Sequence, residues 1–420
     1  MTAFQIQPAF DFVTSCVFLC LWGIVLKKYR QDMSLSILKS FGLVLFLISI
    51  SPTAFGQAPR RETSYSYKVP VQLNDGIATG NIIGAGIDSN KIIRLTKLIL
   101  ADTFTNIHSL LILRNNKLVY ENYFPGKDET WGLKLGYIKH DLNSLHDVRS
   151  ISKSIVSACM GIALAQKKIK SIDDSIFNYL PDYQKFKTEA NKTVTIRNLL
   201  TMSSGIKWDE DTPHGTTKND ESQMEKSDDP VAYTLSLPMA DKPGAVWNYN
   251  SGGVQVLAAI IKNVSGLDVD KFATLYLFGP LGIKDHQWTK MHNGIQAAAS
   301  GLRLRSRDLL KLASLYLHKG KYDNKQVIPP KWIKQSFSSA ILRDNNSTTN
   351  SYGYLFWIQA DNVAGKPHAI VSARGNGGER IFVDVKLKLI VVITAGNYNN
   401  PGVVNDGQAA LVKYILPAVR

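Results

Sequence analysis

His146-Asp147-Val148-Arg149-Ser150-Ile151-Ser152-Lys153-Ser154 leads directly into an apolar run of small residues, Ile155 to Ala165. It sets a serine three positions before a lysine at the start of what reads as a buried helix. Three residues make about one helical turn, so the two side chains share a face. A hydroxyl is a weak nucleophile at its free pKa and needs a base beside it. A lysine in a partly desolvated pocket can give up its proton near neutral pH and serve as that base. The spacing points to Ser150 as an activated nucleophile; an N-cap on a core helix is the alternative reading of the same serine.

Ser-x-x-Lys also occurs at Ser36/Lys39 and Ser204/Lys207. The first lies in a hydrophobic leader. The second contains Gly205 and runs into Trp208-Asp209-Glu210, a turn. Of the three, only Ser150 begins a helix.

Two further segments carry chemistry. Trp247-Asn248-Tyr249-Asn250-Ser251-Gly252-Gly253 precedes a helix, and a phenol can both donate and accept a proton, with a pKa that can fall beside a lysine. Ala373-Arg374-Gly375-Asn376-Gly377-Gly378-Glu379-Arg380 enters a strand, where glycines let the backbone approach a ligand and aim N–H groups at an oxyanion. In this order, Ser-x-x-Lys, Tyr-x-Ser and the Gly-Gly strand entry resemble the serine β-lactamase and penicillin-binding-protein superfamily. Within it the chain is similar to the class C-related branch, which holds class C β-lactamases, D-alanyl-D-alanine carboxypeptidases, family VIII esterases and 6-aminohexanoate-dimer hydrolases. Thr195-Ile-Arg-Asn-Leu-Leu-Thr-Met-Ser-Ser-Gly-Ile-Lys-Trp208, Gly301-Leu-Arg-Leu-Arg-Ser-Arg-Asp308 and Asn376-Gly-Gly-Glu-Arg-Ile-Phe-Val383 carry the same resemblance, which covers roughly residues 77–420.

The resemblance implies an α+β, β-lactamase/transpeptidase-like fold: an antiparallel sheet flanked by helices, with a mainly helical insert. It implies Ser150 as the acyl-accepting nucleophile, Lys153 as its base or proton relay, and Tyr249 as the group that protonates the leaving group and later activates water. The N–H groups of Ser150 and Glu379 would form the oxyanion hole. Ser251, where many relatives have Asn, would bind substrate together with Asn376, Gly377, Gly378 and Trp208. The Lys-Thr-Gly strand of β-lactamases is replaced by Asn376-Gly377-Gly378. A substrate carboxylate would therefore lose a charge-assisted bond worth roughly 1.5–3 kcal/mol. Arg374 and Arg380 are nearby cations whose targets strand alternation does not fix. The expected activity is hydrolysis of an ester or amide; a D,D-peptidase or weak β-lactamase, or a non-catalytic cell-wall-binding protein of the same fold, are the alternatives. Neither a metal nor a cofactor is expected, since the eight histidines are scattered without ligand spacing. His146 reads either as a pocket residue or as structural. Trp208, Tyr354 and Trp357 read either as acyl-pocket lining or as core.

Outward from these motifs, Ser109–Arg114, Asn115-Asn116 and Lys117–Phe124 read as a hairpin with a two-residue turn. Helices are expected at Asp88–Ala101, Val254–Val264, Val269–Leu281 and Leu302–Leu317. Strands are expected at Tyr354–Ile358, Arg380–Asp384 and Leu389–Thr394, and a long polar loop over 209–229. Strands from both ends would build one sheet, giving an α/β lobe of 77–145 and 290–420 and a helical lobe of 146–289.

Residues 1–56 read as a leader. Phe12–Leu26 is apolar and followed by Lys27, Lys28 and Arg30; a second run, Phe41–Ile50, ends at Ala54-Phe55-Gly56, small residues that fit a cleavage site. A signal peptide starting at Met33 and a periplasmic or secreted location are expected, with a membrane segment at 12–26 that anchors an uncleaved chain as the alternative. Residues 57–76 read as a tether. Without 1–56 only Cys159 remains, so no internal disulfide forms. The net charge of +15 favours anionic surfaces, including transient membrane or cell-wall contact, but the bases are scattered and no nucleic-acid motif is present. A small ester, amide or peptide-like molecule is the expected partner.

Overall fold

Turn chemistry sets the first hairpin. β1 (Ile107–Arg114) and β2 (Lys117–Tyr123) are joined by Asn115 and Asn116 at φ 49° and 65°, a left-handed pair that asparagine tolerates. The other strands of the same sheet come from the C-terminal part: β3 (Ile341–Leu342), β4 (Asn350–Tyr352), β5 (Trp357–Val363), β6 (Lys366–Arg374), β7 (Arg380–Asp384) and β8 (Leu389–Ala395). The structure, a computed structural model, describes residues 64–344, 349–363 and 365–420. The leader of 1–56, its start at Met33 and the membrane segment at 12–26 lie outside the described residues. Among the described residues no helix is long and apolar enough to cross a membrane.

The eight strands run in the order β3-β4-β5-β6-β7-β8-β1-β2, each pair antiparallel, so the last strand closes against the first, with Leu111 opposite Val392. Alternation then sends side chains to two cores. Leu111, Leu113, Ile390 and Val392 face one apolar cluster, while Leu110, Ile112, Val391 and Ile393 face another. All of β1 and β8 is buried because both faces are covered.

The second cluster is covered by α1 (Ser89–Leu100), whose N-terminus is capped by Asp88. The first is covered by α2 (Ile151–Ala165), α3 (Ser251–Ser265) and α4 (Ser306–Leu317). It takes in Leu113 and Val392 of the sheet and Ile155, Val256 and Leu310 of the helices, so one core runs through both expected lobes. Gly161 of α2 lies so close to Trp332 that a Cβ would meet the indole at 2.6 Å. Gly161→Ala is expected to cost about 1–3 kcal/mol by overpacking, which a thermal melt would register as a lowered midpoint.

Four expectations need correction. The helix expected at Leu302 begins at Ser306; Leu302–Leu304 is instead a strand between His146–Asp147 and Gln287–Trp288, with Leu302 and Leu304 buried on its inner side. A turn in which Gly353 N donates to the Phe356 carbonyl at 2.9 Å, with Leu355 at φ 60°, delays β5 to Trp357. The polar 209–229 segment holds a helix, Asp220–Lys226, capped by Asn219. Residues 64–76 are not a free tether: Tyr67 donates to the Val119 carbonyl at 2.9 Å, and Asp75 pairs with Arg307 at 2.8 Å.

Candidate active site

Arg149 sits at φ 48°, a costly conformation for a non-glycine residue. Its guanidinium is held by Glu129 and Asp147 and lies over the Tyr398 ring. This turn starts α2 and leaves Ser150 at its first turn with no side-chain capping bond. The hydroxyl is therefore not spent as an N-cap. Ser152 serves the backbone instead, donating to the Arg149 carbonyl at 2.6 Å.

Lys153, 1% exposed, donates from Nζ to Ser150 Oγ at 2.9 Å and to the Ala299 carbonyl at 3.2 Å. The same Nζ lies 4.9 Å from the centre of the Tyr249 ring. Burial, then the charge of Glu210, push the Tyr249 phenol well above its ordinary pKa, while its hydrogen-bond interaction with Ser150 pulls the other way. The sequence reading allowed a phenol acidified by lysine; the raised pKa of this half-buried ring makes it a neutral proton donor instead.

Ser150 and Tyr249 open onto a cavity of about 480 Å³, also lined by Glu210, Trp357, Arg374 and Asn376. The remaining expected site residues are placed differently. Ser251 is fully buried and bonds Glu210, through its hydroxyl at 2.6 Å and its N–H at 2.8 Å. The Trp208 indole also donates to Glu210, at 2.6 Å. Neither lines the cavity, so both act on Glu210. Gly377 and Gly378, at φ 116° and 103°, shape the turn behind it; a Cβ on Gly377 would meet the Tyr398 ring at 2.6 Å. Tyr354 is buried and bonds Arg197, whereas Trp357 is at the cavity wall.

Glu379 is the main correction. Arg374 pairs with Arg380, which places 375–379 in the turn, and Gly375 N donates to the Glu379 carbonyl at 2.9 Å. Gly375 and Asn376 end up at the cavity, while Glu379 turns inward and is fully buried. The N–H groups of Ser150 and Asn376 donate to no other described residue, and both residues line the cavity. Both residues therefore bring an unspent N–H to the cavity, that of Ser150 at the positive end of α2. The Asn376 side chain is fixed by Asn399: its Nδ2 donates to Asn399 Oδ1 at 2.6 Å and its Oδ1 accepts from the Asn399 backbone N–H at 2.9 Å.

The structure also fixes the two arginines. Arg380 is spent on the carbonyls of Gly375, Glu379 and Val404. Arg374 lies over Trp357, donates to Ser372 and Gln359, and lines the cavity. Burial lowers its pKa to about 10, which leaves it a cation at neutral pH.

Sequence reasoning missed Glu210. Burial, then the charge of Glu221, raise its carboxyl to about 7, against the opposing charge of Lys153 and the bonds from Ser251. Its loop position carried no signal. If Lys153 takes the Ser150 proton, ionised Glu210 stabilises the positive charge that develops there. Activity is therefore expected to rise with pH through about 7, and Glu210→Gln to remove that step from the kcat/KM profile. A wild-type profile flat from about pH 5 to 10, or an unchanged step in the variant, would contradict this.

Behind the Ser150 turn, His146 joins His108, His140 and Asp128, all buried. Burial, then neighbouring imidazoles, lower His108 to about 2 and His140 to about 4. Sequence spacing showed no such cluster, because its members come from separate segments.

The family model described as Beta-lactamase matches residues 108–414. Among curated relatives, the Bacillus subtilis "Putative penicillin-binding protein PbpX" is 24% identical over 262 residues, 59% of this chain and 61% of that protein. "Protein flp" of Staphylococcus aureus (strain N315) is 22% identical over 197 residues, 47% of this chain and 38% of its own length. The chain thus spans less than two thirds of either relative. Of solved structures, "Putative 6-aminohexanoate-dimer hydrolase from Bacillus anthracis" matches with a TM-score of 0.62 at 18% identity, covering 75% of this chain and 79% of that one. "EstCE1, a hydrolase with promiscuous acyltransferase activity" matches at 0.60 and 14%, covering 78% and 97%. A D-stereospecific amidohydrolase from Streptomyces sp. matches at 0.58 and 15%, covering 77% and 98%. These structures share the fold.

Proposed function

Because the chain belongs to the β-lactamase family of hydrolases, we propose that it cleaves an ester or amide through an acyl-enzyme on Ser150. The observation that carries this reading is the Lys153 Nζ contact to Ser150 Oγ at 2.9 Å, with the centre of the Tyr249 ring 4.9 Å from the same Nζ and both Ser150 and Tyr249 at the cavity.

Lys153 takes the Ser150 proton as Oγ attacks the carbonyl carbon. The negative charge that gathers on the carbonyl oxygen is held by the N–H groups of Ser150 and Asn376. The neutral Tyr249 phenol gives its proton to the departing alkoxide or amine, and the proton on Lys153 restores it. Water then attacks the acyl carbon, its proton passing to the same pair, and Ser150 leaves with a proton as the acid product is released.

The cavity places Glu210 and Glu221 together with the cation Arg374 and the apolar face of Trp357. That lining suits a linear substrate with an apolar stem and a polar or charged end. The fold neighbours named as a hydrolase with promiscuous acyltransferase activity, a D-stereospecific amidohydrolase and a putative 6-aminohexanoate-dimer hydrolase support the same class. A second reading, a D,D-peptidase or weak β-lactamase, is favoured by Arg374, which supplies a cation for a substrate carboxylate. Its guanidinium is already engaged by Ser372 and Gln359, so slow turnover of such substrates is expected. Export to the periplasm or medium belongs to this proposal through the apolar leader.

Short-chain p-nitrophenyl esters, linear amide oligomers, nitrocefin and a D-Ala-D-Ala peptide, offered to the purified chain, test the assignment. Ester or amide turnover exceeding that of nitrocefin and peptide supports it. Faster β-lactam or D,D-peptide turnover favours the second reading, and no turnover of any substrate opposes both.

A further inference from the structure

Four side chains that the proposed reaction does not use meet behind the Ser150 turn. His108 comes from β1, Asp128 from the strand Gly126–Thr130, His140 from the segment after Leu133–Ile138, and His146 from the two-residue strand before Ser150. The ligand-capable atoms of His108, Asp128 and His140 lie within 4.8 Å of one another.

Hydrogen-bond bookkeeping fixes the tautomers. Lys127 N donates to Asn106 Oδ1 at 2.9 Å, and Asn106 Nδ2 donates to the Lys127 carbonyl at 2.8 Å. The Asn106 atom 3.2 Å from His108 Nε2 is therefore an oxygen, so His108 carries its proton on Nε2 and a lone pair on Nδ1. His146 Nδ1 lies 2.9 Å from the Asp147 carbonyl oxygen, so His146 carries its proton there and a lone pair on Nε2. Those two lone pairs face each other across 2.8 Å. They repel unless an electrophile, a proton or a metal ion, sits between them.

The surroundings favour the metal. Asp128 Oδ1 lies 3.7 Å from His146 Nε2 and 4.0 Å from His108 Nδ1. His140 Nε2 is buried, has no hydrogen-bond partner among the described residues, and lies 3.9 Å from Asp128 Oδ2. Tetrahedral zinc, with bonds of about 2.0–2.1 Å, needs ligand atoms roughly 3.3 Å apart. His108 Nδ1 to His146 Nε2 at 2.8 Å and the Asp128 oxygens at 3.7–4.0 Å from the three imidazoles lie around that value, while His140, stacked on His108 with ring centres 4.0 Å apart, would turn its edge toward the ion on binding. Each of His108 and His146 has its outer nitrogen held by an oxygen acceptor, and Tyr398 donates to Asp128 Oδ1 at 3.1 Å. Metal-binding histidines are oriented in this way.

We propose that His108 Nδ1, His146 Nε2, His140 Nε2 and Asp128 hold one divalent transition-metal ion, with zinc as the best chemical match. Four protein ligands close the coordination sphere, so the ion is structural and activates no water. It ties β1, the 126–138 hairpin and the following loop to the segment that delivers Ser150.

The test uses the purified full-length chain, stripped with a chelator and then titrated with Zn²⁺ and, as a spectroscopic probe, Co²⁺. Expected are about one zinc per chain by elemental analysis, visible d–d absorption of tetrahedral Co²⁺, and a thermal midpoint raised by Zn²⁺. His140→Gln, which keeps the packing, is expected to weaken zinc binding at least about tenfold, while replacing the exposed His292 and His318 leaves it unchanged. The proposal is overturned if the stripped chain keeps its native circular dichroism yet takes up neither ion, which would assign the 2.8 Å contact to a shared proton. Zinc binding as tight in a folded His140→Gln chain as in wild type would also overturn it. Metal uptake is read without substrate, so its failure and that of the hydrolase reading are separable.

Discussion

Ser150→Ala is expected to lower kcat on every accepted substrate by about 10⁶-fold and to abolish covalent labelling, while changing stability by less than about 1 kcal/mol. The first effect follows from the loss of the hydroxyl proposed to form the acyl-enzyme. The second follows from what the hydroxyl does not do. It makes no capping bond to α2, and its donor Lys153 keeps the Ala299 carbonyl and the Tyr249 ring. A variant that lost activity together with its fold would point to a structural serine. One that kept turnover would move the nucleophile elsewhere.

Lys153→Met carries the next largest effect. The methionine stem fills the same space, but the amine that takes the Ser150 proton is gone, so kcat/KM is expected to fall about 10³–10⁴-fold. The substitution has a second consequence that a merely structural lysine would not produce. The charge of Lys153 lowers the Glu210 pKa, so its removal is expected to push that carboxyl above about 7. Trp208 donates its indole N–H to Glu210, which makes a pH titration of tryptophan fluorescence, differenced against Glu210→Gln, a direct readout. An unmoved titration midpoint would mean that Lys153 and Glu210 are not coupled. Thermal stability is expected to hold or rise, since a buried amine is replaced by an apolar chain of similar length.

The architecture was legible because its signals are local. Asn115-Asn116 specifies a tight turn, Leu389–Thr394 an apolar strand, and Ser150 to Ala165 a buried helix. The ordered set of motifs then placed the chain in its family, and the structure sets buried Lys153 against Ser150 and the Tyr249 ring, the last two lining one cavity. The misses share one cause: they depend on where separate segments meet. Glu379 looked like an oxyanion donor until the Arg374–Arg380 pairing showed a turn that presents Asn376 instead. Ser251 and Trp208 looked like substrate contacts until Glu210, from a polar loop with no motif, took up their hydrogen bonds. The four residues at the proposed metal site lie on four segments with no ligand spacing.

The most direct measurement is peptide mapping after fluorophosphonate labelling. Arg149 and Lys153 flank the nucleophile, so trypsin releases the peptide Ser150-Ile151-Ser152-Lys153. The adduct is predicted on Ser150, with Ser152 unmodified and the label absent from Lys153→Met under the same brief exposure. A folded chain that remains unlabelled, or that carries the label on Ser152 or on a serine outside this peptide, would contradict the account.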